Sequence, residues 1–212
     1  VGQGFSPAVA RRPEAPPHTQ KVVEDQTMQS PLDVSVDLAT GRLRGAAVAE
    51  TTRTLADLAG LFGDECARVA MPASQVVYQV QAVQPSEEGR AGGLCWGNTT
   101  ILPGDVGGEY FMTKGHFHAL RDRDEYYVTV SGEGALILMD AGRRTWMEPM
   151  RAGSVHYIRG ALAHRTANTG RAPLVFLACW PADAGHDYET IARDGFGARL
   201  KRVDGVPRLV PR

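Results

Sequence analysis

The stretch TKGHFHALRDRDEYYVTVSGEG, Thr113–Gly134, decides how the rest of the chain is read. His116 and His118 stand two positions apart, which on a strand puts both imidazoles on one face. ALRDRD reads as a turn, and EYYVTV as the start of a strand that returns Glu125 beside the two histidines. Two nitrogens and a carboxylate are a common beginning for a first-row metal site. An H-x-H pair alone is often a surface or hydrogen-bonded feature. The metal reading gains weight from a second histidine-bearing segment, GSVHYIRGALAHRTANTG, Gly153–Gly170.

Outward from this stretch, strand-like runs recur between Gly, Pro and Asp turn signals. They are QVVYQVQAV, NTTILPGDVGG, EYYVTVSGEGALILMD, RRTWMEPMRAGSVHYI and PLVFLACW. Strands at such short intervals predict an antiparallel sandwich or barrel. LDVSVDL alternates Leu32, Val34, Val36 and Leu38, the period of a half-buried strand, before the turn ATGRL. TTRTLADLAGLF sets Leu55, Leu58 and Phe62 on one helical face, and DYETIARDGF spaces Tyr188, Ile191 and Ala192 likewise, so a helix is predicted at each. With no internal repeat and no second core, the expectation is one β-rich domain over residues 31–212. Residues 1–30, rich in Pro, Gln and charge, lack the apolar surface to offset their ordering entropy and read as a flexible arm, with His18 facing solvent.

The formal net charge of −1 excludes a general attraction to nucleic acid or to an anionic membrane, so any anion must be held by a local site. No apolar run approaches the ~20 residues that span a bilayer, and the first thirty residues hold no signal-peptide core. Cys66, Cys95 and Cys179 lie far apart and form no C-x-x-C pair, the usage of reduced, partly buried thiols in a cytoplasmic protein.

The two histidine segments together resemble the motif pair of the cupin superfamily, small antiparallel barrels whose first motif supplies H-x-H and Glu and whose second supplies His. Gly132 follows Glu125 at the first motif's spacing, and Gly153, His164 and Asn168 fall at the second motif's positions. Arg159 and Ala161 stand where Pro and Gly are usual. The gap from His118 to Glu125 is longer than in most cupins. That spacing, with AHRTANTG and PADAGHDYETIARDGF (Pro181–Phe196), resembles the cupin-type glucose-6-phosphate isomerases of archaea and some bacteria. The likeness runs from about Leu32 to about Asp204.

The resemblance implies a mainly β chain, a single cupin barrel (double-stranded β-helix, jelly roll) with short flanking helices. It also implies a homodimer that interconverts glucose 6-phosphate and fructose 6-phosphate in glycolysis and gluconeogenesis. The ligands it implies for one divalent metal are His116, His118, Glu125 and His164. Neutral imidazoles and one carboxylate leave a bound dication singly positive, with positions open in octahedral geometry for adjacent sugar oxygens. This suits Fe(II) foremost, then Mn(II), Ni(II) or Co(II), better than Zn(II).

The resemblance further implies Glu125 as base on a cis-enediol path, with Tyr127 and His186 beside it. Substrate contacts carry over to Thr99, Thr113, the backbone of Gly115, Tyr127, Trp180, His186 and Tyr188. Trp180 stands where the family often has a tyrosine near the phosphate. Alternation independently gives Tyr127 the face of Glu125, although a core aromatic would sit there equally well. Lys114 is a further cation, although alternation turns it from Thr113, and His186 could instead pin the following helix. A carboxylate on a dication is a weak base, so a metal-assisted hydride shift stays open beside the enediol. Activity on mannose 6-phosphate, a cupin Fe(II) dioxygenase and a non-enzymatic sugar-binding cupin also stay open. The polar set Thr113, Tyr127, His186 and Tyr188 favours the isomerase.

Overall fold

Turn residues cut the chain into short strands. In order these are β1 (Ser35–Val36), β2 (Leu43–Arg44), β3 (Ala49–Thr54), β4 (Val76–Val83), β5 (Leu94–Ile101), β6 (Asp105–Val106) and β7 (Glu109–Tyr110). Then come β8 (Glu125–Ser131), β9 (Glu133–Met139), β10 (Thr145–Arg151), β11 (Val155–Ile158), β12 (Ala163–Asn168) and β13 (Leu174–Pro181). The hairpin β14 (Ala198–Val203) and β15 (Val206–Pro211) ends the chain; two helices, α1 (Glu65–Val69) and α2 (Tyr188–Asp194), interrupt the strands. The structure, a computed structural model, describes residues 33–84, 87 and 89–212. The arm expected over residues 1–30 lies outside the described residues.

The pairings are antiparallel. A six-stranded sheet runs β11-β8-β13-β5-β4-β3, a three-stranded one β10-β9-β12 and a four-stranded one β15-β14-β7-β6, while β1 pairs with β2. Neighbours such as β8 and β13 are distant in sequence, the crossing order of a jelly-roll barrel. One core joins Val77, Tyr78, Ile101 and Phe176 of the large sheet to Leu136, Leu138, Ala163 and Ala167 of the small one. In β9 every residue after Glu133 is buried, as its unbroken run ALILM dictates. Pro149 is tolerated because β10 is an edge strand.

Buried amides fasten the connections. Gln81 Oε1 accepts from Leu43 N at 2.9 Å, and Asn98 Nδ2 donates to the Gly41 carbonyl at 2.8 Å, sewing the first hairpin onto the large sheet. Asn168 donates to the carbonyls of Ile101 and Ala172 at 2.8 and 2.9 Å, closing the NTG turn.

Three expectations need correction. Among its described residues, LDVSVDL keeps strand form only at Ser35–Val36, because the Asp37 carboxylate accepts from Ala39 N at 3.0 Å and starts a turn, leaving Leu38 83% exposed. TTRTLADLAGLF is not a helix. Its β-branched Thr51, Thr52 and Thr54 lie in β3, and one 3-10 turn at Ala56–Leu58 follows. Leu55, Leu58 and Phe62 are nonetheless all buried, since the i, i+3 spacing serves a 3-10 turn as well as an α-helix. Cys66 is exposed rather than partly buried; Cys95 is buried and Cys179 intermediate, and the three form no disulfide with one another. The helix expected at DYETIARDGF forms as α2, its N-terminus capped by the Asp187 carboxylate on Thr190 N at 3.1 Å. No helix among the described residues is long and apolar enough to cross a membrane.

Candidate active site

The segment holding His116 and His118 is itself strand-like and sits between two others. On one side His116 bridges His164 of β12, with their amides and carbonyls exchanged at 3.2 and 3.0 Å. On the other, Phe117 bridges Asp187 just ahead of α2. The alternation of extended chains then brings His186 and Tyr188, either side of Asp187, to the face of His116 and His118. The rings confirm the juxtaposition: His116 lies 4.5 Å from His186 and 5.3 Å from Tyr188, centroid to centroid.

The long turn before Glu125 is pinned by the same late segment. Ala119 N and Leu120 N donate to the carbonyls of Gly185 and Ala184. Arg123 grips Asp183 with two nitrogens, its Nε at 3.0 Å and its Nη2 at 2.9 Å from Oδ2. Asp124 accepts from Gly160 N at 2.8 Å and from the Tyr157 hydroxyl. This delivers Glu125, 5% exposed, as the first residue of β8.

The outcome is a buried cluster. His116, His118, Glu125 and His164 each offer one ligand atom, and these atoms all lie within 4.8 Å of one another. His118 Nδ1 donates to the Arg123 carbonyl and His164 Nδ1 to that of Leu162 at 3.4 Å, which leaves each Nε2 lone pair for the cluster. His164 Nε2 and Glu125 Oε1 lie 2.6 Å apart without hydrogen-bond alignment. With His116 Nε2 they are buried polar atoms that no protein group satisfies. Two nitrogens and a carboxylate oxygen left so, converging with His118, fit a divalent cation.

The electrostatics agree. Burial, then His164 and His186, push His116 well below the ordinary histidine value, so it is neutral and a competent ligand. Burial alone would raise the Glu125 carboxyl, but the facing imidazoles of His164 and His118 overcome it and hold it far below the usual carboxylate range. Burial opposes protonation of His118, and Glu125 beside it reverses the sign and raises it. Tyr127, buried next to the cluster, is pushed well above the usual phenol value by burial and then by the Glu125 charge. Its ring packs 4.7 Å from Phe176 and 6.0 Å from His164.

A family model described as Glucose-6-phosphate isomerase (GPI) matches residues 52–208. The chain belongs to the glucose-6-phosphate isomerase family. Among curated relatives, the glucose-6-phosphate isomerase of Pyrococcus horikoshii is 43% identical over 185 residues, 86% of this chain and 95% of that one. That of Sinorhizobium medicae is 41% identical over 177 residues, 82% of this chain and 81% of the other. Among solved structures, oxalate decarboxylase from Bacillus subtilis at pH 4.6 overlaps only in part, with TM-score 0.40 and 22% identity over 52% of this chain and 26% of that one.

Beside the cluster, this member of the glucose-6-phosphate isomerase family has a cavity of about 290 Å³ lined by Arg53, Tyr78, Lys114, Gly115 and Tyr188. Lys114 therefore sits on a cavity wall, not in bulk solvent. Thr113 Oγ1 accepts from Thr166 N at 3.1 Å, which keeps the hydroxyl proton free to donate. Thr99 is buried on β5, two residues from the fully buried Ile101 and on its face. Trp180 lies elsewhere, lining a cavity of about 260 Å³ with His186 and Asp183. Its indole fits because position 97 is glycine; a Cβ there would come within 2.9 Å of the ring. His156, given no role by the sequence, is used in a chain from Glu148 through its ring to Ser154 and Thr129, which ties β10, β11 and β8 together.

Arg53, Tyr78 and the buried Arg165 were not found from the sequence. Tyr78 carried a usable signal, since it falls on the inward parity of QVVYQVQAV.

Proposed function

We propose that this chain interconverts glucose 6-phosphate and fructose 6-phosphate, with one divalent cation, Fe(II) foremost, held by His116, His118, Glu125 and His164. One observation carries the reading: a cluster fit for a cation lies one residue from a cavity walled by Arg53 and Lys114. The two features match the two ends of an open-chain sugar phosphate, a carbonyl at one and a dianion at the other. When bound, the cation supplies Lewis acidity that polarises the carbonyl.

The chain's own residues do the rest. Gly115 N–H, the Thr113 hydroxyl, Lys114 and Arg53 take the phosphate end. Tyr188 and His186 flank the sugar, and Thr99 adds a contact from β5. Trp180 bounds the His186 side. Glu125, ionised at neutral pH, removes the proton from C2 of the aldose or C1 of the ketose and returns it to the neighbouring carbon. The Tyr127 hydroxyl, neutral throughout, donates to oxygen or carboxylate as charge moves. A carboxylate so acidic is a weak base, and the alternative is direct hydride transfer between C1 and C2.

A coupled assay of glucose 6-phosphate formation from fructose 6-phosphate, before and after chelation and metal addition, tests the proposal. Metal-loaded protein without turnover would sink it. Solvent deuterium at C1 or C2 of recovered sugar supports proton transfer through Glu125; full retention of substrate hydrogen supports the hydride path.

We further propose a homodimer through the outer face of β8 and β11, where Tyr126, Val155 and Tyr157 are at least half exposed on adjoining strands. Cys66, Cys95 and Cys179, all unbridged, accord with the cytoplasm, where glycolysis and gluconeogenesis share this step.

A further inference from the structure

Arg165 follows the ligand His164 on β12, and alternation turns it to the opposite face. There it is 6% exposed, with the Phe196 ring 4.3 Å from its guanidinium carbon. Its donors go to neutral partners, the Lys114 carbonyl at 2.6 Å and the Met112 sulfur at 3.1 Å, while Nε has no acceptor. Glu109, the nearby carboxylate, is committed to Arg199 at 3.1 Å. A cation buried without a counter-ion is costly, and folding retains it only where something offsets the cost.

The peptide it holds indicates what that is. In a trans peptide the C=O and the following N–H point opposite ways. With the Lys114 carbonyl drawn inward onto Arg165, Gly115 N–H faces outward, on the side of the cavity with Arg53, Tyr78, Lys114 and Tyr188. No acceptor among the described residues takes that N–H. Gly115 has φ +73°, and a Cβ there would lie 2.8 Å from Arg165 Cβ and 2.9 Å from Nε, so this backbone rests directly on the arginine. A guanidinium on the carbonyl also polarises the peptide and strengthens its N–H as a donor to an anion.

We propose that Arg165 is a positioning residue for the phosphate end of the substrate. It fixes Gly115 N–H toward the cavity and places a buried positive charge one peptide behind the anion, complementing Arg53 and Lys114 in front. The sugar phosphate as ligand rests on the isomerase reading; the anion-binding role is tested without turnover.

The experiment titrates inorganic phosphate, and separately glucose 6-phosphate and glucose, into metal-loaded wild type, Arg165→Met and Arg165→Lys. Binding is followed by calorimetry and, in protein loaded with diamagnetic Zn(II), by the Gly115 amide signal in NMR. In wild type, inorganic phosphate moves the Gly115 amide proton downfield. Arg165→Met binds inorganic phosphate and glucose 6-phosphate at least about 10-fold more weakly, with glucose affinity and metal content unchanged. Its KM for fructose 6-phosphate rises in parallel while kcat stays within about twofold. Arg165→Lys, charged but without the planar fork, falls between. Wild-type phosphate affinity in either folded variant overturns the proposal, as does an equal loss for glucose and glucose 6-phosphate. Should Arg165→Met fail to fold, Arg165→Lys decides by the same criteria. Wild type without isomerase turnover, yet with Arg165-dependent phosphate binding, would defeat the functional reading and leave this one standing. Turnover without any Gly115 response to phosphate would do the reverse.

Discussion

His164 Nε2 and Glu125 Oε1 lie 2.6 Å apart, each without a hydrogen bond, on strands β12 and β8 of different sheets. Removing either ligand leaves the remaining atoms aimed at a site they no longer complete. His164→Ala is therefore expected to lower bound metal, read by elemental analysis, and isomerase activity together, by at least about 100-fold in activity. Full metal occupancy in that variant would place the site elsewhere. Tyr127→Phe keeps the packing on Phe176 and loses only the hydroxyl. Its kcat is expected to fall about 10–100-fold with thermal stability preserved. Because burial and Glu125 hold the Tyr127 phenol above its ordinary value, it is protonated across neutral pH, so the pH profile keeps its shape as its height drops. Strand parity in the sequence put His116 with His118 and Glu125 with Tyr127, while the joining of the two pairs with His164 into one ligand set was implied by the family resemblance. Arg53, Tyr78 and Arg165 were not legible there, because the paired strands β3 and β4 and the distant β12 come together around Gly115 only in the folded barrel.

Among the elements, the turn between His118 and β8 is tied to the late segment by two backbone bonds and by the side-chain pair Arg123 and Asp183. The hydrogen bond from Arg123 lowers the Asp183 carboxyl below its ordinary 3.8. A carboxylate lowered by folding lends stability that is fully present above its unfolded value and is lost as pH falls through the folded one. Asp183→Asn is thus expected to melt below wild type at neutral pH, with the gap closing as pH drops below 3.8. Thermal melts over a pH series give the answer, and a gap independent of pH would remove the pair from this role. At this scale the sequence was half transparent. Strand runs bounded by Gly and Pro were readable, whereas an i, i+3 apolar spacing could not separate a 3-10 turn from a helix. The closing hairpin β14–β15 was signalled by Asp204-Gly205, both at positive φ, but its weak apolar content hid it.

For the whole molecule, the proposed cation would be a ligand of the folded state alone, since the cluster draws on segments from 116 to 164 that meet only in the barrel. Chelation is expected to lower the melting temperature by ~5–10 °C, restored by metal, as measured by differential scanning calorimetry. An unchanged melt would mean that the orphaned atoms tolerate an empty cluster. On the proposed dimer, wild type is expected to sediment as a dimer and Val155→Glu as a monomer; a dimer that persists in the variant would move the contact off β11. Strand spacing made an antiparallel sandwich or barrel legible, and the family resemblance chose the barrel. The pairing of His116–His118 with His186–Tyr188 was not, because nothing local to either segment records which partner it will lie beside.

That pairing bears on the order of events during synthesis. All four cluster residues have been made by position 164, yet the chain that lies against the second side of the His116 segment ends only at Tyr188. A nascent chain paused between the two possesses every ligand but not the clamp that aligns them. On the proposed reading, uptake of an ion would wait for the finishing of the barrel, and half-made copies would be unable to sequester metal.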